Sequence, residues 1–380
     1  MNTNEGPVRP TVLLVVEQLR RAVPGGIGTY ARGLLAGLAA LERERGLTVA
    51  TVTLYASLTF FDPLFDFGRP LRRVALPSKL LTRAWDTGYL LAPRGFDVVH
   101  GVSLSMPTLR RGSRSSLVAT VHDLAWRTFP EATTERGRRW HEASLQRVMK
   151  EAKGFVTPSA EVKDELVAAG APAKAVTVIP EGVDHLPPPD PTRAEAVLAA
   201  AGVRGPFLLS ASTLEPRKNL GRLVRAYGIA RAAGDLGQVP LVIAGPSGWG
   251  SSGLGRSADD GVVLLGPVAL PVLVALYAKA AAFVYVPLTE GFGLPPLEAM
   301  SVGAPVVAST AVPSVRDDTG NEVAVLVDPE DPDAIAEGLV RVVTDPVLAA
   351  SLGERGAAFA RSRTWRTAAA RHLELWARLA

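Results

Sequence analysis

The chain has 380 residues, 47% of them apolar, enough to bury the cores of two domains of about 150–200 residues each. A net charge of +4 is too small to argue for nucleic acid, yet compatible with phosphate-bearing ligands or an anionic membrane surface. The absence of cysteine excludes disulfides, thiolate nucleophiles and cysteine metal sites, and suits a reducing compartment.

Met1–Pro10 is polar, and Thr11–Val16 is an apolar run of strand length closed by Glu17. A signal peptide needs a basic start and a longer apolar core, so none is expected. No uncharged apolar run approaches the roughly 18 residues of a membrane span; Leu270–Leu288 comes nearest and contains Lys279. The expectation is a cytoplasmic protein, with peripheral attachment at the inner face of the plasma membrane as a further option.

Short apolar runs then alternate with helical patterns, the signature of parallel α/β architecture. Strands are expected at Thr11–Val16, Leu47–Tyr55, Val98–Gly101, Leu117–Val121, Gly154–Thr157 and Val176–Ile179. Several are continuous rather than alternating, as when both faces of a strand are buried. Helices are expected at Gly28–Glu44, Thr134–Lys153 and Ala160–Gly170. The proline-rich His185–Pro191 cannot be helix or central strand and reads as a linker. Strands resume at Phe207–Ala211, Leu241–Ala244, Val262–Leu265, Ala282–Val286, Pro305–Ala308 and Ala324–Val327. Helices are expected at Asn219–Ala233, Pro271–Ala281, Pro296–Gly303, Asp331–Val343, Pro346–Phe359 and Thr364–Leu379, and Gly245–Asp260 reads as a flexible loop. The expected domains are residues 1–186 and 187–363, two doubly wound parallel sheets whose strand carboxyl ends face a cleft.

The most informative stretch is Glu290-Gly-Phe-Gly-Leu-Pro-Pro-Leu-Glu298. Its glycines let backbone amides approach a ligand, the helix that follows presents free N–H groups to a phosphate, and its two carboxylates accept hydrogen bonds from polyols. A second element, Leu214-Glu-Pro-Arg-Lys-Asn219, places Arg217 and Lys218 beyond a strand, where they can neutralise a diphosphate leaving group. Near the amino terminus, Pro24-Gly-Gly-Ile-Gly-Thr-Tyr30 opens a helix whose Gly26 and Gly28 amides suit a diphosphate. The same glycines satisfy a dinucleotide-binding fingerprint. They lie nine residues beyond the first strand, however, and no acidic residue ends the second, which argues against an NAD(P) enzyme.

The order Glu-Pro-Arg-Lys-Asn, Leu-Tyr-x-x-Ala, Glu-Gly-Phe-Gly-Leu-Pro-x-Leu-Glu-Ala-Met and Gly-x-Pro-Val-Val-Ala-Ser resembles family 4 of the retaining glycosyltransferases. The resemblance runs from Gly25 to about Pro329 and implies the GT-B fold, two Rossmann-like domains facing across a cleft. It assigns Glu290 to the hydroxyls of the transferred sugar and Glu298 to the ribose. The amides of Phe292, Gly293 and Leu294 would hold sugar and phosphate, Lys218 with Arg217 the diphosphate, and His122 of Val121-His-Asp-Leu124 the sugar near the reaction centre. Asp123 would orient His122 or cap the next segment. The resemblance also implies a helix near 364–380 packing back on the first domain.

The implied activity is metal-independent transfer of a hexose from a nucleotide sugar to a hydroxyl acceptor in polysaccharide, glycolipid or secondary-metabolite synthesis. GDP-mannose is the first choice and a UDP-sugar the next. The acceptor, lipid-linked or soluble, would be read by Ser57–Pro70 and Ser103–Ser116. An inactive nucleotide-sugar-binding protein and a 2-epimerase are the alternatives. Two departures stand out: Ser212-Thr213 where the family often has a further Arg, and Val286-Pro-Leu-Thr289 where Pro-Ser is common. His100 ends a strand and would line the acceptor side, and Glu181 of Ile179-Pro-Glu-Gly-Val-Asp184 replaces a usual Asn. Asp331-Pro-Asp333 precedes a helical run and reads as a cap rather than a metal site. Arg136, Arg138, Arg139, Arg147, Lys150 and Lys153 read as a solvated face, with anionic lipid docking as the alternative.

Overall fold

The computed structural model describes residues 9–21, 24–59, 62–246, 261–317 and 322–380. Most of the expected Gly245–Asp260 loop therefore lies outside the described residues, as does most of Met1–Pro10. The chain divides into two compact units. One comprises residues up to Thr128, Thr133–Gly182 and Thr364–Ala380; the other comprises Phe129–Ala132 and Val183–Arg363.

In the first unit the order is β1 (Thr11–Val15), α1 (Gly25–Arg45), β2 (Thr51–Ser57), β3 (Leu71–Val74), α2 (Ser78–Asp86), β4 (Val98–Gly101) and β5 (Ser116–Thr120). There follow α3 (Ala125–Thr128), α4 (Glu135–Met149), β6 (Ala152–Thr157), α5 (Ala160–Ala168) and β7 (Val176–Val178). Among the described residues these strands form a parallel sheet in the order β3-β2-β1-β4-β5-β6-β7. β1 is buried along Val12–Val15 because helices cover both of its faces. The last helix of the chain, here α12 (Trp365–Leu379), belongs to this unit and packs on α1. Gly33 makes the approach possible, since a Cβ there would collide with the Trp365 ring.

A buried hydrogen-bond chain ties α12 to the sheet. His372 Nδ1 lies 2.8 Å from the Ala368 carbonyl, which only accepts, so Nδ1 carries the hydrogen and Nε2 accepts from Tyr30 at 2.8 Å. Tyr30 then accepts from Thr120, Thr120 from His100 Nε2, both at 2.9 Å, and His100 Nδ1 from Trp376 Nε1 at 3.1 Å. All five hydrogens run in one direction, and the pattern closes only with both imidazoles neutral. Burial, reinforced by neighbouring His372 and His122, holds His100 well below its ordinary pKa. Burial, only partly opposed by the Ala368 carbonyl, takes His372 from 6.5 to about 4. Between those two values the unfolded chain binds the proton and the folded chain does not. Stability is therefore full above pH 6.5 and falls as pH drops toward about 4, by roughly 3 kcal/mol for this one group. Urea-unfolding midpoints measured across that window should fall less steeply for His372→Gln than for the wild-type chain; equal slopes would contradict the assignment.

In the second unit the order is α6 (Pro191–Ala200), β8 (Leu208–Ala211), α7 (Leu220–Ala232), β9 (Leu241–Ala244), β10 (Val262–Gly266), α8 (Leu270–Lys279) and β11 (Ala282–Tyr285). It continues with α9 (Leu294–Ser301), β12 (Val306–Ser309), β13 (Val325–Val327), α10 (Pro332–Thr344) and α11 (Pro346–Ser362). The sheet is again parallel, in the order β10-β9-β8-β11-β12-β13. One face is covered by a cluster around Phe207, Tyr277, Phe283 and Leu297, the other by Leu223, Tyr227, Ile243 and Leu339.

Several expectations change. β3 and α2 were not expected. β2 starts at Thr51 rather than Leu47, which is 45% exposed. The helix expected over Thr134–Lys153 ends at Met149, so Lys153 stands on β6. Pro191 opens α6 at the first helical position, behind an Asp190 cap, instead of closing a linker. The basic run on α4 is partly neutralised: Arg138 and Arg139 pair with Glu135, and Arg147 with Asp86. Asp331 caps α10, accepting from the amides of Asp333 and Ala334. Among the described residues no helix is long and apolar enough to cross a membrane.

Candidate active site

In the second unit β8 and β11 are sheet neighbours from which the strand order runs outward in both directions. Such a switch point is where open α/β sheets bind ligands, beyond the strand carboxyl ends. The loops leaving these two strands carry Arg217 and Lys218 on one side and Glu290 on the other. They are joined by the Leu288 amide donating to the Arg217 carbonyl at 3.0 Å.

Glu290 Oε2 accepts from Lys218 Nζ at 2.6 Å, from the Tyr285 hydroxyl at 2.7 Å and from Arg217 Nη1 at 3.4 Å. Lys218 also donates to Tyr285 at 2.7 Å, so two of its three ammonium hydrogens are engaged. Arg217 reaches Glu215 at 3.0 Å and the Thr289 carbonyl at 3.2 Å. Burial alone would raise the Glu290 pKa. The Lys218 and Arg217 charges, with the hydrogen bonds from Lys218 and Tyr285, reverse it and bring the carboxyl to about 2. Tyr285 moves the other way: burial and the adjacent Glu290 charge push it well above its ordinary value, so it stays a hydroxyl. Among the described residues, the hydrogen bonds to Glu290 converge on Oε2 and leave Oε1 facing none of these donors.

Asn219 holds the Lys218 loop. It adopts a left-handed φ of 59°, and its buried side chain donates to the Val286 carbonyl at 3.0 Å and the Pro329 carbonyl at 2.7 Å. Lys218 is thereby pinned across the ends of β11 and β13.

After Glu290 the chain turns through Gly293, whose φ is 97° and whose Cβ would lie 2.6 Å from Val312 Cγ1, so a side chain there is excluded twice over. Leu294 opens α9, and Glu298 sits on its second turn. Glu298 is 8% exposed; Oε1 faces His185 Nε2 at 3.1 Å and Oε2 accepts from Tyr277 at 3.2 Å. Burial and the Glu298 charge hold Tyr277 protonated and donating.

The first unit contains a cavity of about 320 Å³ at the carboxyl ends of β1, β4 and β5, lined in part by Gln18, Arg21, Ser103, Ser105, His122 and Asp123. His122 Nε2 faces the Val102 carbonyl at 2.9 Å and Nδ1 faces Glu181 at 3.5 Å. Asp123 caps instead of orienting His122: its Oδ1 accepts from the Ala125 amide at 3.1 Å. His100 does not line an acceptor surface, being fully buried in the hydrogen-bond chain. Gly28 lies within α1 and its amide donates to the Pro24 carbonyl at 3.2 Å, so of the two predicted amides the structure leaves Gly26 at the exposed start of the helix.

Of the residues the sequence singles out, Arg217, Lys218 and Glu290 meet at one carboxylate oxygen, whereas Glu298 sits apart from that cluster with Tyr277 and His185. Sequence reasoning missed Tyr285, Tyr277 and His185 as their partners, and Glu181 as the partner of His122. Only Tyr285 had a visible signal, as a polar aromatic next to the end of the expected Ala282–Val286 strand.

Residues 205–345 match the family described as Glycosyl transferases group 1, and residues 24–185 match Glycosyltransferase Family 4. O-antigen chain mannosyltransferase B of Escherichia coli is 33% identical over 282 residues, 70% of this chain and 71% of the relative. A GDP-mannose-dependent alpha-(1-6)-phosphatidylinositol monomannoside mannosyltransferase of Mycolicibacterium smegmatis is 28% identical over 298 residues, 74% and 75% of the two chains. The crystal structure of Anabaena HepE in complex with UDP and glucose superposes with a TM-score of 0.68 at 19% identity, covering 97% of this chain and 99% of that one, a likeness of fold. The chain belongs to glycosyltransferase family 4 and is a glycosyltransferase with the two parallel-sheet domains of the GT-B fold.

Proposed function

We propose that the chain is a retaining mannosyltransferase that takes GDP-mannose as the sugar source and needs no metal. The observation that carries the reading is the Lys218–Tyr285–Glu290 cluster beside the amino terminus of α9. Glu290 Oε1 is left to accept sugar hydroxyls, while the third Lys218 hydrogen, Arg217 and the amides of Phe292, Gly293 and Leu294 hold the diphosphate. Glu298, steadied by Tyr277 and His185, accepts from the ribose. A carboxylate held this strongly ionised is a weak nucleophile and a weak base. That supports transfer in which the departing phosphate takes the acceptor's proton on the face it leaves. The cations and helix terminus stabilise charge that grows on the diphosphate as the bond breaks.

The two mannosyltransferase relatives support mannose, and one of them names GDP-mannose. They also support a polysaccharide or glycolipid hydroxyl as acceptor, for which the hydroxyls of Ser103 and Ser105 in the amino-terminal cavity are suited. The test is sugar transfer and nucleoside diphosphate release from a panel of GDP- and UDP-sugars in excess EDTA, with the anomeric configuration of the product read by NMR. GDP should be released from GDP-mannose, insensitive to EDTA, with an α-mannoside as product. An inverted product, loss of activity with EDTA, or turnover of UDP-sugars alone would contradict this function.

A further inference from the structure

Glu181 follows β7 and is 5% exposed, with Oε1 3.5 Å from His122 Nδ1. On the opposite edge of the ring, Nε2 stands 2.9 Å from the Val102 carbonyl. A carbonyl only accepts, so Nε2 carries a hydrogen. An ionised carboxylate only accepts, so Nδ1 carries one as well. A ring with both hydrogens is an imidazolium.

The other titratable groups facing this ring are Tyr30 of α1, edge-on with centroids 4.8 Å apart, Asp123 of its own loop, and His100 of β4. Tyr30 and His100 are neutral members of the hydrogen-bond chain, and Asp123 adds negative charge, so none of them opposes a cation. Burial by itself favours the neutral ring. The bond and charge of Glu181, then the Val102 carbonyl and Asp123, outweigh it and raise the His122 pKa above its ordinary value.

We propose that Glu181 is a positioning residue that holds His122 as an imidazolium, both nitrogens donating, on the wall of the amino-terminal cavity. In that state His122 cannot act as a general base and has no N–H left for a ligand. It works as a fixed positive charge, alongside Arg21 on the same cavity, for an electron-rich oxygen of the bound substrate. Its importance to turnover rests on the function proposed above; the charge state of the ring does not.

The test combines ring-nitrogen NMR of ¹⁵N-histidine-labelled protein, without substrate, with GDP-mannose turnover across pH. His122 should show two protonated ring nitrogens and titrate above the ordinary histidine range. In Glu181→Gln its midpoint should move to lower pH, while Glu181→Asp, which keeps the charge and reports on folding, retains the raised midpoint. Turnover of Glu181→Gln should fall roughly tenfold at neutral pH and recover on acidification as the ring regains its proton. A neutral His122 with a hydrogen on Nε2 alone, which would mean a protonated Glu181, overturns the proposal. So does a midpoint that Glu181→Gln leaves in place. A midpoint that moves without acid recovery of turnover overturns the link to the reaction. If instead the donor-site reading is at fault, the midpoint still moves while Glu290 variants keep full turnover.

Discussion

Lys218→Ala should lower the rate of nucleoside diphosphate release by about 10²–10³-fold, the usual cost of losing one preorganised charge at a centre where negative charge develops. The size of the effect follows from how Lys218 is held. Its ammonium is fixed by Glu290 and Tyr285, and its loop is pinned by Asn219, so under the proposed function it would meet the diphosphate without reorganising. Arg217 remains beside the diphosphate in the variant but cannot fill the place of the Lys218 ammonium, because its guanidinium is held by Glu215, the Thr289 carbonyl and Glu290. Since the lost interaction grows in the transition state, the fall should appear in kcat more than in KM. Steady-state kinetics with GDP-mannose separate the two; a variant with unchanged kcat would remove Lys218 from the chemistry.

Glu290→Gln should be at least as damaging, about 10²–10³-fold, although the replacement has nearly the same shape. Lys218 and Tyr285 both donate to Oε2, so the amide must turn its oxygen toward them. Its NH₂ then occupies the place of Oε1, putting a hydrogen-bond donor where a sugar hydroxyl needs an acceptor. The substitution also leaves Lys218, 11% exposed, without its counter-charge, a change that destabilises the fold. Thermal melting should therefore show a lower Tm. The pH dependence gives an independent check. Glu290 is depressed from 4.5 to about 2, so it contributes stability above pH 4.5 that is lost as pH falls toward about 2. Glu290→Gln should remove that acid-dependent loss, and the activity profile above pH 4.5 should contain no limb from this carboxyl.

The architecture could be read because its strands, such as Leu241–Ala244 and the Val12–Val15 stretch of β1, are buried on both faces and so appear as unbroken apolar runs. β3 escaped for the converse reason. It is an edge strand, Leu71-Arg-Arg-Val74, with exposed arginines and no apolar run to betray it. α2 carries a helical spacing in Leu81 and Trp85, but it spans only nine residues, too short a window to stand apart from a loop. Pro191 misled because proline breaks helices in their interior but starts them well.

At the site, local spacing exposed the residues that share one loop or one helix, Glu290 with Glu298 and Arg217 with Lys218. Their hydrogen-bonding partners outside these motifs were less visible. Tyr285 ends the strand that leads into the Glu290 loop, Tyr277 lies on α8, and His185 is 113 residues from Glu298. His122 and Glu181 meet only because the chain leaving β5 and the chain leaving β7 converge. No short motif encodes such pairings; they are properties of the folded sheet edge.

The most direct measurement is a crystal structure of the protein soaked with GDP-mannose. Diphosphate oxygens should lie within hydrogen-bond distance of Lys218 Nζ and the amides of Gly293 and Leu294, with a sugar hydroxyl on Glu290 Oε1 and the ribose on Glu298. A nucleotide bound elsewhere, with the Lys218–Tyr285–Glu290 cluster untouched, would contradict this assignment.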